Sequence, residues 1–406
     1  EKTVRKMKRW AALLCAVLMA VTLLPGQVWA EMYSAEDAPL SATVVCGNPL
    51  YPELGVTESV TYDAPGVAML AETNAMGDGG RYDSLTDVAA YVHQQFKARE
   101  QILFFYTGYP ADGPFSELTA EEAAAAYSES EQQLAADGVS HAGILLRRRF
   151  AKYLTALVRQ QLLPEVFRHD PQDPTGGDYM RYQYGSVTYS ASWDGNYFGV
   201  TIAFTYFTTA RQETELEQTA ASLLDYLEVA QMAEPEERLA AIYDWLCAHV
   251  ENDSENRNDT TNLLKYSAYA ALVNKRAVSQ GYALLLYRLA LAAGVDARVV
   301  SGSVNSESHG WNLVKLGVRW YQADAAWDAG AQVHRHCLKA SLSNHQPDGE
   351  SAAVMGQHFL SPTDFTVKIG ELNGSGGIDS TDVQLLYDYL VTGKAAGGLS
   401  AADFRK

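Results

Sequence analysis

Two hydrophobic periods run along this chain, and the places where they change divide it. Residues 31–84 hold neither period for long. Gly, Pro, Ala and small polar residues dominate there, with one short strand candidate at Ala42-Thr43-Val44-Val45, so the segment is expected to be largely irregular. From Ser84 a helical period covers Leu85 to Lys97, and the apolar run Gln101 to Thr107 predicts a buried strand. Gly143 to Leu163 is again helical and is expected to stop at Pro164, whose ring and missing N–H break a helix interior. Val187 to Trp193 and Tyr197 to Phe207 alternate around Asp194-Gly195, which predicts a hairpin, and Gln212 to Leu227 returns to helix. Residues 85–230 therefore form an α+β region.

The pattern sharpens over 231–345. Pro235 suits a first helical position, Glu236 and Glu237 complement the positive helix start, and Leu239, Ile242, Tyr243, Leu246 and Val250 make one stripe. A polar loop, Asn252 to Asn262, precedes a helical stretch at Ser267 to Val273. A second amphipathic helix opens at Ser279, with Tyr282, Leu285, Leu286, Leu289 and Ala293 on its buried face. Arg298 to Ser301 is a strand, and Trp311 to Leu316 with Arg319 to Asp324 make a hairpin turning at Gly317. Helix packed on antiparallel sheet is the expected arrangement, so the fold class is α+β. Residues 346–367 read as a linker. Residues 368–406 read as a small tail whose helix is expected to bury Val383, Leu386 and Leu390.

Charge and composition narrow the compartment and the partners. Met7 to Ala30 has a basic start at Lys8 and Arg9, an apolar run from Trp10 to Leu24 and a small residue at Ala30, the pattern of a cleaved secretory signal peptide. Residues 1–30 are thus expected to be removed and the protein secreted or held at the cell surface, with no membrane span left after cleavage. The remaining chain carries 26 basic and 48 acidic residues, a net charge of −22. That surface argues against nucleic acid and anionic lipid as partners. Cys46, Cys247 and Cys337 remain, too few for a disulfide framework.

Three residues could share chemistry. Ser279 opens a helix in Val278-Ser279-Gln280-Gly281-Tyr282-Ala283, His309 lies in His309-Gly310-Trp311-Asn312, and Asp324 begins Asp324-Ala325-Ala326-Trp327-Asp328. Nucleophile, imidazole and carboxylate in that order suit a triad, with the nucleophile where helix N–H groups stabilise negative charge. Taken singly, each has a plainer explanation: Ser279 as a helix N-cap, His309 as a strand residue, Asp324 as a turn residue. Together they resemble the transglutaminase-like superfamily, whose pattern would read V-C-Q-G-Y-A, H-x-W-N and D-x-x-W-D, with serine here in place of the nucleophilic cysteine. The resemblance covers roughly 235–345 and implies a papain-like core. It also implies a triad of Ser279, His309 and Asp324, groove roles for Gln280 and Trp311, and no cofactor in the core.

The tail offers a second pattern. Glu371 to Asp382 has the length of an EF-hand loop with Gly376 at its sixth position. Its oxygen donors would be Glu371, Asn373, Ser375, the Gly377 carbonyl, Asp379 and Asp382. It resembles one repeat of a dockerin, with Glu371 and Ser375 where that module carries Asp. The resemblance implies a weak Ca²⁺ site and a cohesin-type scaffold as partner. His334-Arg335-His336-Cys337 is half of a zinc pattern without a second half.

Serine does not ionise near neutrality and must lose its proton as it attacks, whereas a cysteine in this setting is a ready thiolate. Two functions follow. One is a secreted transglutaminase-like protein that binds amide-containing protein or cell-wall peptide with impaired catalysis. The other is an active Ser-His-Asp amide hydrolase or acyltransferase on the same fold.

Overall fold

A computed structural model of the chain describes residues 40–62, 80–108, 115–193, 198–257, 259–365 and 380–392. The signal segment, the Asp194-Gly195 turn and the calcium-loop donors Glu371, Asn373, Ser375, Gly377 and Asp379 lie outside them, as does the side chain of Asp382.

The first half is built on a six-stranded sheet. Strand β1 (Leu40–Gly47) pairs antiparallel with β2 (Ser59–Tyr62) on one side and with β5 (Tyr184–Trp193) on the other. Beyond β5 come β6 (Phe198–Tyr206), β4 (Ile102–Thr107) and the short β3 (Arg81–Tyr82), the last pair parallel. The segment expected to be largely irregular thus supplies three strands. Its signal was weak because β1 is built from small residues, yet Ala42, Val44 and Cys46 alternate into the core as a paired strand requires. Helix α1 (Leu85–Lys97), capped by the Ser84 hydroxyl, turns Val88, Ala89, Val92 and Phe96 inward. Helix α2 (His141–Thr155) does not stop before Pro164 as expected. It runs through a π-helical turn, Ala156–Leu162, into a last segment, Leu163–Val166, so Pro164 lies inside a continuous helix, just past the wider turn.

The second half packs helices on a four-stranded antiparallel sheet in the order β11 (Arg319–Ala323), β10 (Glu307–Leu316), β9 (Ala297–Val304) and β12 (His345–Pro347). Helices α3 (Ala210–Tyr226), α4 (Pro235–His249), α5 (Ala268–Leu272) and α6 (Ser279–Ala292) share one apolar core. The mixed α+β class is as expected. The linker at 346–367 is not: Gln346 and Pro347 extend the sheet, and α7 (Gly349–Gly356) follows directly. Asp348 caps that helix and also accepts from the Ser301 hydroxyl, while Ser301 N–H donates to Ser351 Oγ at 3.0 Å. Polar pairing to β9 fastens this segment, beside Met355 and Leu360, which pack against the cluster of Val300, Trp311 and Trp320.

In α8 (Ser380–Thr392), Val383 and Leu386 are exposed, against the expected burial. No helix among the described residues is long and apolar enough to cross a membrane.

Charges join the halves. Asp178, in the turn Asp178–Arg181, takes Arg298 of β9 in a two-pronged pair at 2.7 and 2.9 Å and also accepts from Val299 N–H. Glu213 of α3 lies between Arg99, which follows α1, and Arg288 of α6.

Candidate active-site cleft

Helix α6 is wrapped on every side. Its sequence shows one apolar stripe, yet every residue from Gln280 to Leu291 is buried, including Arg288, which pairs with Glu213 and Glu217. The close packing starts at the first turn. A Cβ on Gly281 would stand 2.7 Å from Ala277 Cβ and 2.9 Å from the Ser267 carbonyl oxygen, so only glycine fits.

Val278, extended in φ and ψ, is the N-cap residue, and no side chain caps the helix. Ser279 is therefore the first helical residue, and the N-cap explanation of this serine fails. Its Oγ accepts a hydrogen bond from Gly310 N–H at 3.3 Å. A Cβ at Gly310 would meet Gln280 Oε1 at 2.6 Å, so a larger residue there would have to displace the Gln280 side chain from the cleft edge. The uncapped start leaves the positive end of the α6 dipole facing Ser279.

Strand β10 brings His309 beside this helix end, and Asp324 follows the last residue of β11. His309 Nε2 lies 2.7 Å from Asp324 Oδ2. Asp324 is 1% exposed, and its other oxygen accepts from Trp327 N–H at 3.2 Å. Burial pushes its carboxyl up, but the bonds from His309 and His345 outweigh burial and hold it at about 2. The three expected residues are thus gathered at one place.

Sequence reasoning missed His345. It begins β12, and its Nε2 sits 2.9 Å from the same oxygen of Asp324. Nothing in Ser343-Asn344-His345-Gln346 marks it, because its partner lies across the sheet and the sequence shows no strand at the end of the 231–345 core. Asp328, the second acid of the matched motif, serves structure: it accepts from the Tyr243 hydroxyl at 2.8 Å and from the N–H groups of Arg335 and His336.

A cleft of about 310 Å³ opens over Ser279, Gln280 and His309, bounded by Gly302, by Asp348 and by residues 49–53 of the first half. Tyr51 fixes that wall through a 2.7 Å bond to the Tyr182 carbonyl. Gln280 lines the cleft with its buried Nε2 left without a partner. Trp311 does not line it. That indole is 1% exposed and donates to Gln322 Oε1 at 3.1 Å, forming a floor beneath His309 and His345.

The His334-Arg335-His336-Cys337 cluster does not converge: His334 faces Asp244 at 3.0 Å and His336 faces Asp328 at 2.8 Å. Burial pushes the Cys337 thiol up to about 12, so it cannot stand in for the missing thiolate. Cys46, Cys247 and Cys337 are all free.

A family model described as the transglutaminase-like superfamily matches residues 224–325, which hold Ser279, His309 and Asp324 but not His345. Kyphoscoliosis peptidase of Homo sapiens is 32% identical over 127 residues, 28% of this chain and 19% of that protein. The Mus musculus protein is 31% identical over 106 residues, 23% of this chain and 16% of its own length. The matched stretch spans less than a fifth of these relatives. A solved structure described as a crystal structure of a TGase aligns over 61% of this chain and 59% of that one, at 12% identity and a TM-score of 0.25. The chain carries a transglutaminase-like superfamily domain at residues 224–325.

Proposed function

We propose that this protein is exported and binds amide-bearing segments of protein or cell-wall peptide in the cleft over α6, and that Ser279 leaves it without efficient turnover. The observation that carries the reading is the partner of Ser279. Its Oγ is held by Gly310 N–H and makes no hydrogen bond to His309, whose Nε2 is engaged by Asp324 as in a triad. A serine nucleophile has to hand its proton to a base during attack, and here the hydroxyl has no bond to that base. Loss of an effective nucleophile costs on the order of a millionfold in turnover. Binding needs less. The uncapped amides at the start of α6 are donors suited to a carbonyl oxygen entering the cleft.

The test uses the natural chain, Ser279→Ala and Ser279→Cys, each incubated with a proteome-derived peptide library and digested bacterial cell wall. Mass spectrometry reads both retained peptides and new products. The natural chain and Ser279→Ala should retain the same peptides and make no product, while Ser279→Cys should cleave or transfer them. Products made by the natural chain and lost in Ser279→Ala would replace this reading with an active serine hydrolase or acyltransferase.

A further inference from the structure

His345 carries a demand that the triad does not meet. Its Nδ1 lies 2.9 Å from the Ser343 backbone carbonyl, a group that only accepts, so that nitrogen bears the ring proton. The lone pair of a neutral ring then sits on Nε2, facing Asp324 Oδ2 across 2.9 Å. Two acceptors that close, in a place where both side chains are 1% exposed, need a positive charge between them. The charge is either a second proton on the ring or a metal ion.

The surroundings favour the ion. His309 Nε2 approaches the same oxygen at 2.7 Å, and the three donor atoms lie within 4.8 Å of one another. Zinc bonds of about 2.0–2.1 Å set tetrahedral donors roughly 3.3 Å apart, so His309 Nε2 and His345 Nε2 draw back from the Asp324 oxygen by roughly half an ångström each, and the two nitrogens already lie within 4.8 Å of one another. An outer shell is already in place: the Ser343 carbonyl fixes the His345 tautomer, and Trp327 N–H holds Asp324 Oδ1. Trp311 and Trp327, each 5.0 Å from the His345 ring, wall the cluster.

We propose that His309 Nε2, His345 Nε2 and Asp324 Oδ2 form a site for one divalent transition-metal ion of the zinc class. Two imidazoles and a carboxylate suit zinc, cobalt or nickel and not calcium or magnesium, which take oxygen ligands. Three protein ligands leave a fourth position for water. The ion takes up the Nε2 of His309 and the oxygen of Asp324 that the triad would use, so metal binding and a relay through His309 and Asp324 exclude each other, and Ser279→Cys turns peptide over only when free of metal. The inference rests on the placement of His345 and stands whether or not the cleft holds peptide.

The full chain, stripped of metal, is titrated with Co²⁺ by absorption and with Zn²⁺ in competition with a chromophoric chelator. The natural chain should take up one ion, with a four-coordinate cobalt spectrum. His345→Asn should bind at least about tenfold more weakly, and His334→Asn, altered outside the cluster, should match the natural chain. Equal uptake by the natural chain and His345→Asn, or none by either, would overturn the site. If His345→Asn fails to fold by circular dichroism, nitrogen NMR of the natural chain's histidines in excess zinc decides. A metal-shifted Nε2 on His345 supports the site, and N–H protons on both ring nitrogens refute it.

Discussion

The two sheets of this protein fill their interiors by opposite rules. In the six-stranded sheet the inward positions are almost all apolar: Ala42 and Val44 on β1, Val187 and Tyr189 on β5, Val200, Ile202 and Phe204 on β6. In the four-stranded sheet, buried Ser301, Asn312 and Gln322 stand among Val300, Trp311 and Leu313, with Asp324 buried just past its edge strand. Each of these polar groups is bonded; Asn312 Nδ2, for instance, donates to the Ala283 carbonyl at 2.9 Å and so ties β10 to α6. Buried polar groups that must all be matched hold a site to one geometry more tightly than apolar packing does. The first sheet is a scaffold that lends residues 49–53 to the cleft wall, and the second positions the chemistry.

The sharpest way to break this contrast is to cut the junction. Asp178→Ala leaves the Arg298 guanidinium buried without its partner, and loss of one side of such a pair costs about 3–5 kcal/mol. Urea unfolding of Asp178→Ala followed by tryptophan fluorescence and by circular dichroism should show that loss, with the two signals separating as the halves uncouple. A change under about 1 kcal/mol would mean that the apolar contacts between the halves suffice, and that the buried pair is incidental.

Next in size is a change at the site itself. Gly281→Ala drives a methyl into Ala277 Cβ and the Ser267 carbonyl, neither the far end of a flexible side chain, so the start of α6 has to move. Overpacking of this kind costs about 1–3 kcal/mol. It should also displace Ser279 and Gln280, so peptide retention should fall by more than the loss of stability explains. Unchanged retention at reduced stability would separate the cleft from the packing beneath it.

How legible the molecule was follows from the same contrast. Apolar period revealed α1, α3, α4, α6 and the β10–β11 hairpin, because each buries a stripe or a face that local sequence displays. It failed at β1, where small residues gave a four-residue hint of an eight-residue strand, and at β12 and α7, where polar bonds through Ser301, Asp348 and Ser351 act beside the packing of Met355 on the Trp311 cluster. It also failed at Pro164, since a π-helical turn has no sequence period of its own. Ser279, His309 and Asp324 were found because they sit in contiguous motifs. His345 was not, for its meaning arises only when β12 pairs with β9.

Acid should weaken the junction before it reaches either interior. Burial alone would raise the Glu213 carboxyl, yet Arg99 and Arg288, with hydrogen bonds from Thr208 and Tyr179, hold it below the usual carboxylate range. Its folded value lies under the unfolded one, so the stabilisation is complete above about pH 5 and is lost as pH falls through the folded value. Melting curves between about pH 6 and 3 should show Tm dropping by a few degrees at the acid end. Glu213→Gln should start lower and flatten the slope. An equally steep slope in that variant would assign the acid loss to other carboxylates.

The smallest expected effect is the one that isolates the scaffold. Ile202 on β6 is fully buried in the large sheet, far along the chain from the matched motifs. Ile202→Val removes one methylene and should cost about 0.5–1.5 kcal/mol. If the large sheet only supports, retention of peptide should equal that of the natural chain, since no polar bond near Ser279 changes. Asn312→Ala makes the counterpart on the small sheet: it strips the bonds to the Ala283 and Arg298 carbonyls, and it should lower retention as well as stability. Parallel losses of retention in the two variants would show that the cleft depends on the rigidity of the whole molecule, not on the polar interior of one sheet.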